Sequence, residues 1–178
     1  MKKCYVFLTT GFEEIEAVAT IDILRRADLN VVTVSVEDSI DVQGSHNVTV
    51  MADTKFADNN YSDAEILVLP GGTLRLSEFE YLTELLKKHN SEGKKIAAIC
   101  AAPAILGKLG ILEGKTATCY PSFEKYLTGA QVVDKRVVKS ENVITGMGPG
   151  CTKQFALEIV LTLLGQEKTD EVAEALIA

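Results

Sequence analysis

No stretch of this chain approaches the roughly 18 consecutive apolar residues that a membrane-spanning helix requires, although hydrophobic residues make up 47% of it. A role inside a bilayer is therefore not expected. The start, MKKCYVFLTTG, has two lysines but an apolar run shorter than the roughly 7 residues of a signal-peptide core. It reads instead as the first strand of a cytoplasmic protein. Basic residues are in deficit: 18 Lys and Arg against 25 Asp and Glu leave a net charge of −7. Counterion release from a nucleic-acid backbone needs clustered cations, so no nucleic-acid partner is expected. The four cysteines, at 4, 100, 119 and 151, include no Cys-x-x-Cys pair, and the two histidines, His46 and His89, keep no ligand spacing with them. Neither a metal nor a disulfide framework follows, and each thiol is either packed or reactive. A phosphate-binding Gly-x-x-x-x-Gly-Lys-Ser/Thr loop is missing, and so is any internal repeat.

What is present is the composition of an ordinary globular domain. With 178 residues, a single domain spanning 1–178 can bury a sufficient core without staples. Short apolar runs alternate with helical periodicity. Strands are expected at Tyr5–Leu8, Asn30–Val36, Ile66–Leu69 and Ile96–Ile99, with brief ones at Lys115–Cys119, Val132–Val133, Val137–Val138 and Val143–Ile144. Helices are expected from near Glu13, over 77–90, after Cys100, over 152–164 and over 169–177. Between them lie a small β-excursion at 40–51, with Gly44-Ser45 as its turn, Val48 and Val50 on one face and an exposed His46, and a polar connector at 53–62. His89, at the charged end of its helix, is expected at the surface. The alternation predicts an α/β sandwich of three layers, with a mostly parallel central sheet.

In such sheets the functional crevice lies beyond the carboxyl ends of the strands. Four features fall there. The first is Cys100, at a strand-to-helix junction resembling a nucleophile elbow, where the N–H groups of the incoming helix would favour a thiolate; a packed core cysteine is the alternative. The second is Glu16, whose helical neighbours Ala19, Thr20, Ile23 and Ala27 form a small, weakly polar face that points it inward, the alternative being an acid serving the helix dipole. Thr10 and Glu13 fit a capping box before it. The third is Gly71-Gly72, and the fourth the Met147 to Gly150 loop containing Pro149. A neutral Glu16 would donate to the Cys100 sulfur while the N–H groups of Gly72 and Ala101 hold a developing oxyanion.

GFEEIEA at 11–17, LPGG at 69–72, AAICAAPAILG at 97–107 and GPG at 148–150 before a helix resemble the ThiJ/PfpI family, nearest its parkinsonism-associated deglycase branch. Arg25-Arg26, Asp41-Val42-Gln43 and Lys135-Arg136 extend the resemblance over nearly the whole chain. It implies a flavodoxin-like fold, a homodimer and no cofactor. It also implies Cys100 as an oxidisable nucleophile, Glu16 as its carboxyl partner, and Gly72 and Ala101 as oxyanion amides, with Gly71, Tyr120 and Pro149 around them. Where this branch commonly has a histidine, the chain has Tyr120 in Cys119-Tyr120-Pro121. A phenol is a poor general base near neutral pH, which weakens a Cys-His protease reading. The implied activities are cysteine-dependent conversion of small reactive carbonyls or removal of early glycation adducts. The alternative is a non-catalytic oxidative-stress sensor or redox-regulated chaperone in which Cys100 becomes a sulfinic acid. A further family label, thiazole monophosphate synthesis for thiamine, has no independent support in these residues.

Overall fold

A computed structural model describes residues 3–178; Met1 and Lys2, part of the start expected to be too short for a signal sequence, lie outside the described residues. The chain runs β1 (Lys3–Leu8), α1 (Glu14–Arg26), β2 (Asn30–Ser35), β3 (Asp41–Gln43), β4 (Thr49–Met51), β5 (Thr54–Lys55), β6 (Ala64–Leu69), α2 (Glu80–Ser91), β7 (Lys95–Ile99) and α3 (Pro103–Lys108). It continues through β8 (Thr116–Ala117), β9 (Gln131–Val132), β10 (Val137–Ser140), β11 (Val143–Gly146), α4 (Thr152–Leu164) and α5 (Gln166–Ala175). Seven strands form one sheet in the order β10-β11-β7-β6-β1-β2-β5. Every pairing in it is parallel except that of β10 with β11.

Strands covered on both faces must be apolar along their buried length, and β1, β6 and β7 are from Cys4, Ile66 and Ile96 onward, with Lys3, Glu65 and Lys95 confined to their starts. Alternate side chains serve two cores. Cys4, Val6, Leu8, Ile66, Val68, Ala97 and Ile99 meet α1, α4 and α5 through Ala17, Leu24, Phe155, Ile159 and Val172. Tyr5, Phe7, Leu67, Leu69, Ile96 and Ala98 meet α2 and α3 through Leu82, Leu86, Ile105 and Leu106. The α4 stripe of Phe155, Ile159 and Leu163 is buried as its four-residue spacing requires.

Several local expectations change. The 53–62 connector contains the edge strand β5 and two 3₁₀ turns. The strand expected at Lys115–Cys119 shrinks to β8, which pairs with β9 in a separate two-stranded sheet. A 3₁₀ turn at Arg75–Glu78 precedes α2, and α5 starts earlier than expected, at Gln166. Val50 packs on the core, but Val48 lies just before β4 and is exposed. His89 is buried, not exposed, with 2% of its surface accessible. It continues the Leu82–Leu86 stripe by three residues, a periodicity masked by Lys87 and Lys88, and its Nε2 lies 3.1 Å from the Lys95 carbonyl oxygen.

Candidate active site

The carboxyl ends of β1, β6, β7 and β11 share one edge of the sheet, so the four features read from the sequence converge there. Cys100 follows β7 with φ +66°, a left-handed conformation that costs a non-glycine residue energy and is typical of a nucleophile elbow. Two hydrogen bonds hold it: Cys100 N–H donates to the Gly146 carbonyl at 2.9 Å, and Tyr120 N–H donates to the Cys100 carbonyl at 2.8 Å. Pro103 opens α3, where its missing N–H costs no helix bond.

Glu16 comes from α1 and is completely buried. Its Oε2 accepts from Gly71 N–H at 2.7 Å. Its own N–H donates at 2.9 Å to Glu13 Oε2, so Glu13 caps α1. The expected Thr10–Glu13 capping box is not formed. Thr10 instead donates through N–H and Oγ1 to Glu37, at 2.7 and 2.9 Å, and Thr9 Oγ1 joins it at 2.6 Å. Arg75 completes that cluster with Nε 3.3 Å from Glu37. These contacts fix the loop after β1, and Glu13 N–H donating to the Gly71 carbonyl at 3.0 Å ties it to the loop after β6.

Both glycines of that loop are needed. A Cβ on Gly71 would stand 2.6 Å from Cys100 Cβ and 2.7 Å from Glu16 Oε2. Gly72 has φ +90°, and a Cβ there would lie 2.5 Å from the Glu13 nitrogen. Such distances are far inside van der Waals contact. Gly71 can therefore lie against Cys100 and Glu16, and Gly72 against the backbone at 11–13, only without side chains.

Burial dominates the electrostatics. It pushes the Glu16 carboxyl up to about 7, against the nearby Cys100 thiol and the Gly71 N–H, both of which favour its charged form. It also pushes the Cys100 thiol up to about 12, assisted by the Glu16 charge and opposed by the N–H groups of Gly72 and Ala101 directed at the sulfur. Against the thiolate expected from the helix start stand the shortness of α3, with only six residues, and the desolvation of the sulfur. The two groups titrate together, losing one proton near 7 and keeping the second to about 12. Glu16 Oε1 is buried with no partner in hydrogen-bond geometry, although the thiol is close enough to perturb it. The remaining cysteines are free. Burial pushes Cys4 up to about 12 and Cys119 to about 11, while the Cys151 sulfur accepts from Gly148 N–H at 3.3 Å.

Tyr120 is 46% exposed. With Pro121, Arg136, Met147, Gly148, Pro149, Gly150 and Cys151 it lines a cavity of about 260 Å³. Arg136 and Met147 were noted in separate motifs, and it is the fold that brings these two loops, distant in sequence, into one wall. A second unannounced grouping is Glu13, Glu14 and His46, whose ligand-capable atoms all lie within 4.8 Å of one another. Glu14 is already saturated there: it accepts from His46 N–H at 2.6 Å and Ser45 Oγ at 3.1 Å, and its Oε2 lies 2.9 Å from His46 Nδ1. The group clamps the β3–β4 hairpin onto α1. Among the described residues, no helix is long and apolar enough to cross a membrane.

Residues 2–162 match the model of the DJ-1/PfpI family. The chain is 40% identical to Protein DJ-1 homolog B of Arabidopsis thaliana, matching 99% of this chain and spanning 41% of that protein's length. It is 39% identical to Protein dj-1beta of Drosophila melanogaster over 99% of this chain and 97% of the relative. The crystal structure of Drosophila DJ-1beta superposes with a TM-score of 0.95, covering 99% of this chain and 98% of that one at 39% identity. The Glutathione-independent glyoxalase DJR-1.2 of Caenorhabditis elegans is 35% identical over 92% of this chain and 89% of the relative. By its sheet order, by its Cys100 elbow facing a buried Glu16, and by these matches, the chain belongs to the DJ-1/PfpI family.

Proposed function

We propose that this protein is a cysteine-dependent enzyme of glyoxalase or deglycase type, acting on small α-oxoaldehydes such as methylglyoxal or on their early adducts with amines and thiols. The unpartnered Glu16 Oε1 beside Cys100 supports this reading most. A buried carboxylate oxygen without a donor is costly. A protonated Oε1 would donate to the sulfur instead, giving a thiolate three donors together with the N–H groups of Gly72 and Ala101. In this reading the proton that the pair keeps above about 7 is carried by Glu16, against the burial that raises the thiol, and the sulfur is the nucleophile.

The sulfur attacks the aldehyde carbon and forms a C–S bond, while the carbonyl oxygen is held by the two N–H groups and takes the Glu16 proton. Glu16, now a carboxylate, removes the hydrogen of that carbon as a proton, giving an enediol, and returns it to the neighbouring carbon, while the proton of the new hydroxyl passes through water to the neighbouring oxygen; the hemithioacetal thereby becomes a lactyl thioester. Water cleaves the thioester, releasing lactate and the thiol. Methylglyoxal plus water equals lactic acid, so no external oxidant or reductant is needed. With Tyr120 in place of a histidine, the proton transfers fall to Glu16 and water. Lactate production from methylglyoxal, without added glutathione, is expected to disappear in Cys100→Ser. Production that survives in that variant contradicts the proposal.

A redox role uses the same donors. The Cys100 thiolate displaces hydroxide from hydrogen peroxide to give a sulfenic acid, and a second peroxide oxidises that to a sulfinic acid and leaves water. Mass spectrometry after mild peroxide that finds no two-oxygen adduct on Cys100 rejects it. For the partner we propose a second copy of the chain. Ile15 and Val18 on α1 and Val48 and Met51 on the adjoining hairpin are exposed apolar residues of the kind a homodimer covers. A monomeric sedimentation mass at micromolar concentration would overturn this.

A further inference from the structure

Of the four arginines in the chain, Arg25, Arg26 and Arg75 each pair with a carboxylate. Arg136 does not, among the described residues. The nearest acceptor recorded for its guanidinium is the neutral Gln154 Oε1, 3.4 Å from an Nη. Its main chain, by contrast, is fixed, because the Arg136 carbonyl accepts from Met147 N–H at 2.9 Å and from the Cys151 thiol at 3.1 Å. A protein with net charge −7 thus leaves one guanidinium unneutralised on a rigid mount, in the wall of the 260 Å³ cavity.

That cavity adjoins the reactive elbow. Tyr120, in its wall, donates its N–H to the Cys100 carbonyl, and Gly146, which accepts from Cys100 N–H, immediately precedes the wall residues Met147 and Gly148. Pro121, Met147, Pro149 and the Tyr120 ring give the cavity a mainly apolar lining that suits an aliphatic body. Arg136 is the one ionic group among the lining residues.

We propose that this cavity is a subsite for a carboxylate on the substrate, with Arg136 as its counter-ion, so that carbonyl adducts of free amino acids are favoured over the corresponding amides. This deepens the reading of Cys100 as the nucleophile and rests on it. A guanidinium matches a carboxylate through two parallel N–H donors, whereas an ammonium acts as a point charge.

The test has two arms on the full chain. In the first, turnover of the methylglyoxal adduct of an N-acetylated cysteine is compared with that of its C-terminal amide. The wild type is expected to prefer the carboxylate by roughly tenfold in kcat/KM, as for a charge-assisted hydrogen bond near solvent. Arg136→Ala should bring the ratio close to one, and Arg136→Lys should keep an intermediate preference, a graded result that misfolding does not give. In the second arm, N-acetylglycine and N-acetylglycinamide are titrated against amide resonances of the Met147–Gly150 loop. Shifts with the carboxylate alone, lost in Arg136→Ala, support the subsite. If the wild type turns over neither adduct, the catalytic reading fails and the binding arm still decides the subsite. Equal shifts from both compounds, or a carboxylate preference undiminished in Arg136→Ala, overturn it.

Discussion

Replacing Glu16 by leucine removes the acid and the O–H donor while filling a similar volume. If the Cys100 thiolate is held by Gly72 N–H, Ala101 N–H and the Glu16 carboxyl, the loss of one hydrogen bond to a charged group costs about 1.5–3 kcal/mol, or roughly 1–2 units in the thiol pKa. At neutral pH the thiolate fraction, and with it the rate of alkylation by iodoacetamide, should fall about 5- to 50-fold from a wild type half ionised near 7. Glu16→Gln is expected to be slower than wild type but faster than Glu16→Leu. Gly71 N–H would keep the amide oxygen in place of Oε2, leaving the weaker amide N–H to face the sulfur. The assay is the initial rate of Cys100 modification from pH 5 to 10, followed by mass spectrometry of its peptide. Cys4 and Cys119, whose thiols burial raises to about 12 and 11, serve as internal references. The wild-type midpoint is expected near 7, where the pair loses its first proton. Identical midpoints in all three proteins would refute the shared proton.

Further outcomes follow from the same geometry. Gly71→Ala should abolish Cys100 alkylation with the chain still folded by circular dichroism, because the added methyl lies 2.6 Å from Cys100 Cβ. His89 is buried and held down at about 4, first by desolvation and then by the Lys94 charge. The unfolded chain therefore binds the extra proton between 6.5 and about 4, so this contribution is complete above 6.5 and is lost as the pH falls to about 4. The loss is about 3 kcal/mol; urea titrations at pH 7 and pH 4.5 should show that His89→Gln flattens the dependence. Ile159→Ala, in the fully buried α4 stripe, should lower unfolding free energy by about 2–5 kcal/mol, with Cys100 reactivity unchanged.

Much of the fold was legible because its signals are local. The continuous apolar runs of β1, β6 and β7 announce strands covered on both faces, and the Phe155–Ile159–Leu163 spacing announces the helix that closes one core. The site was legible for a topological reason: in a parallel sheet, the residues after successive strands meet at one edge, so Glu16, Gly71-Gly72, Cys100 and Pro149 converge without any sequence proximity. What escaped depends on tertiary context. The His89 stripe was masked by two neighbouring lysines. Thr10 took Glu37 as its partner because β2's end lies beside β1's, leaving Glu13 to cap α1. The desolvation of Cys100 was not readable, because it depends on everything packed around the sulfur, whereas the helix start is visible in sequence. Arg136 was unreadable as a cavity residue, since its significance lies in the partner it lacks.

The ultraviolet absorbance of the thiolate, taken as the difference between wild type and Cys100→Ala across pH, measures the charge on Cys100 most directly. A difference signal that rises with a midpoint near 7 is what a proton shared with Glu16 predicts. A signal that appears only above the ordinary thiol range, with nothing near neutrality, would show the proton on sulfur and contradict the account.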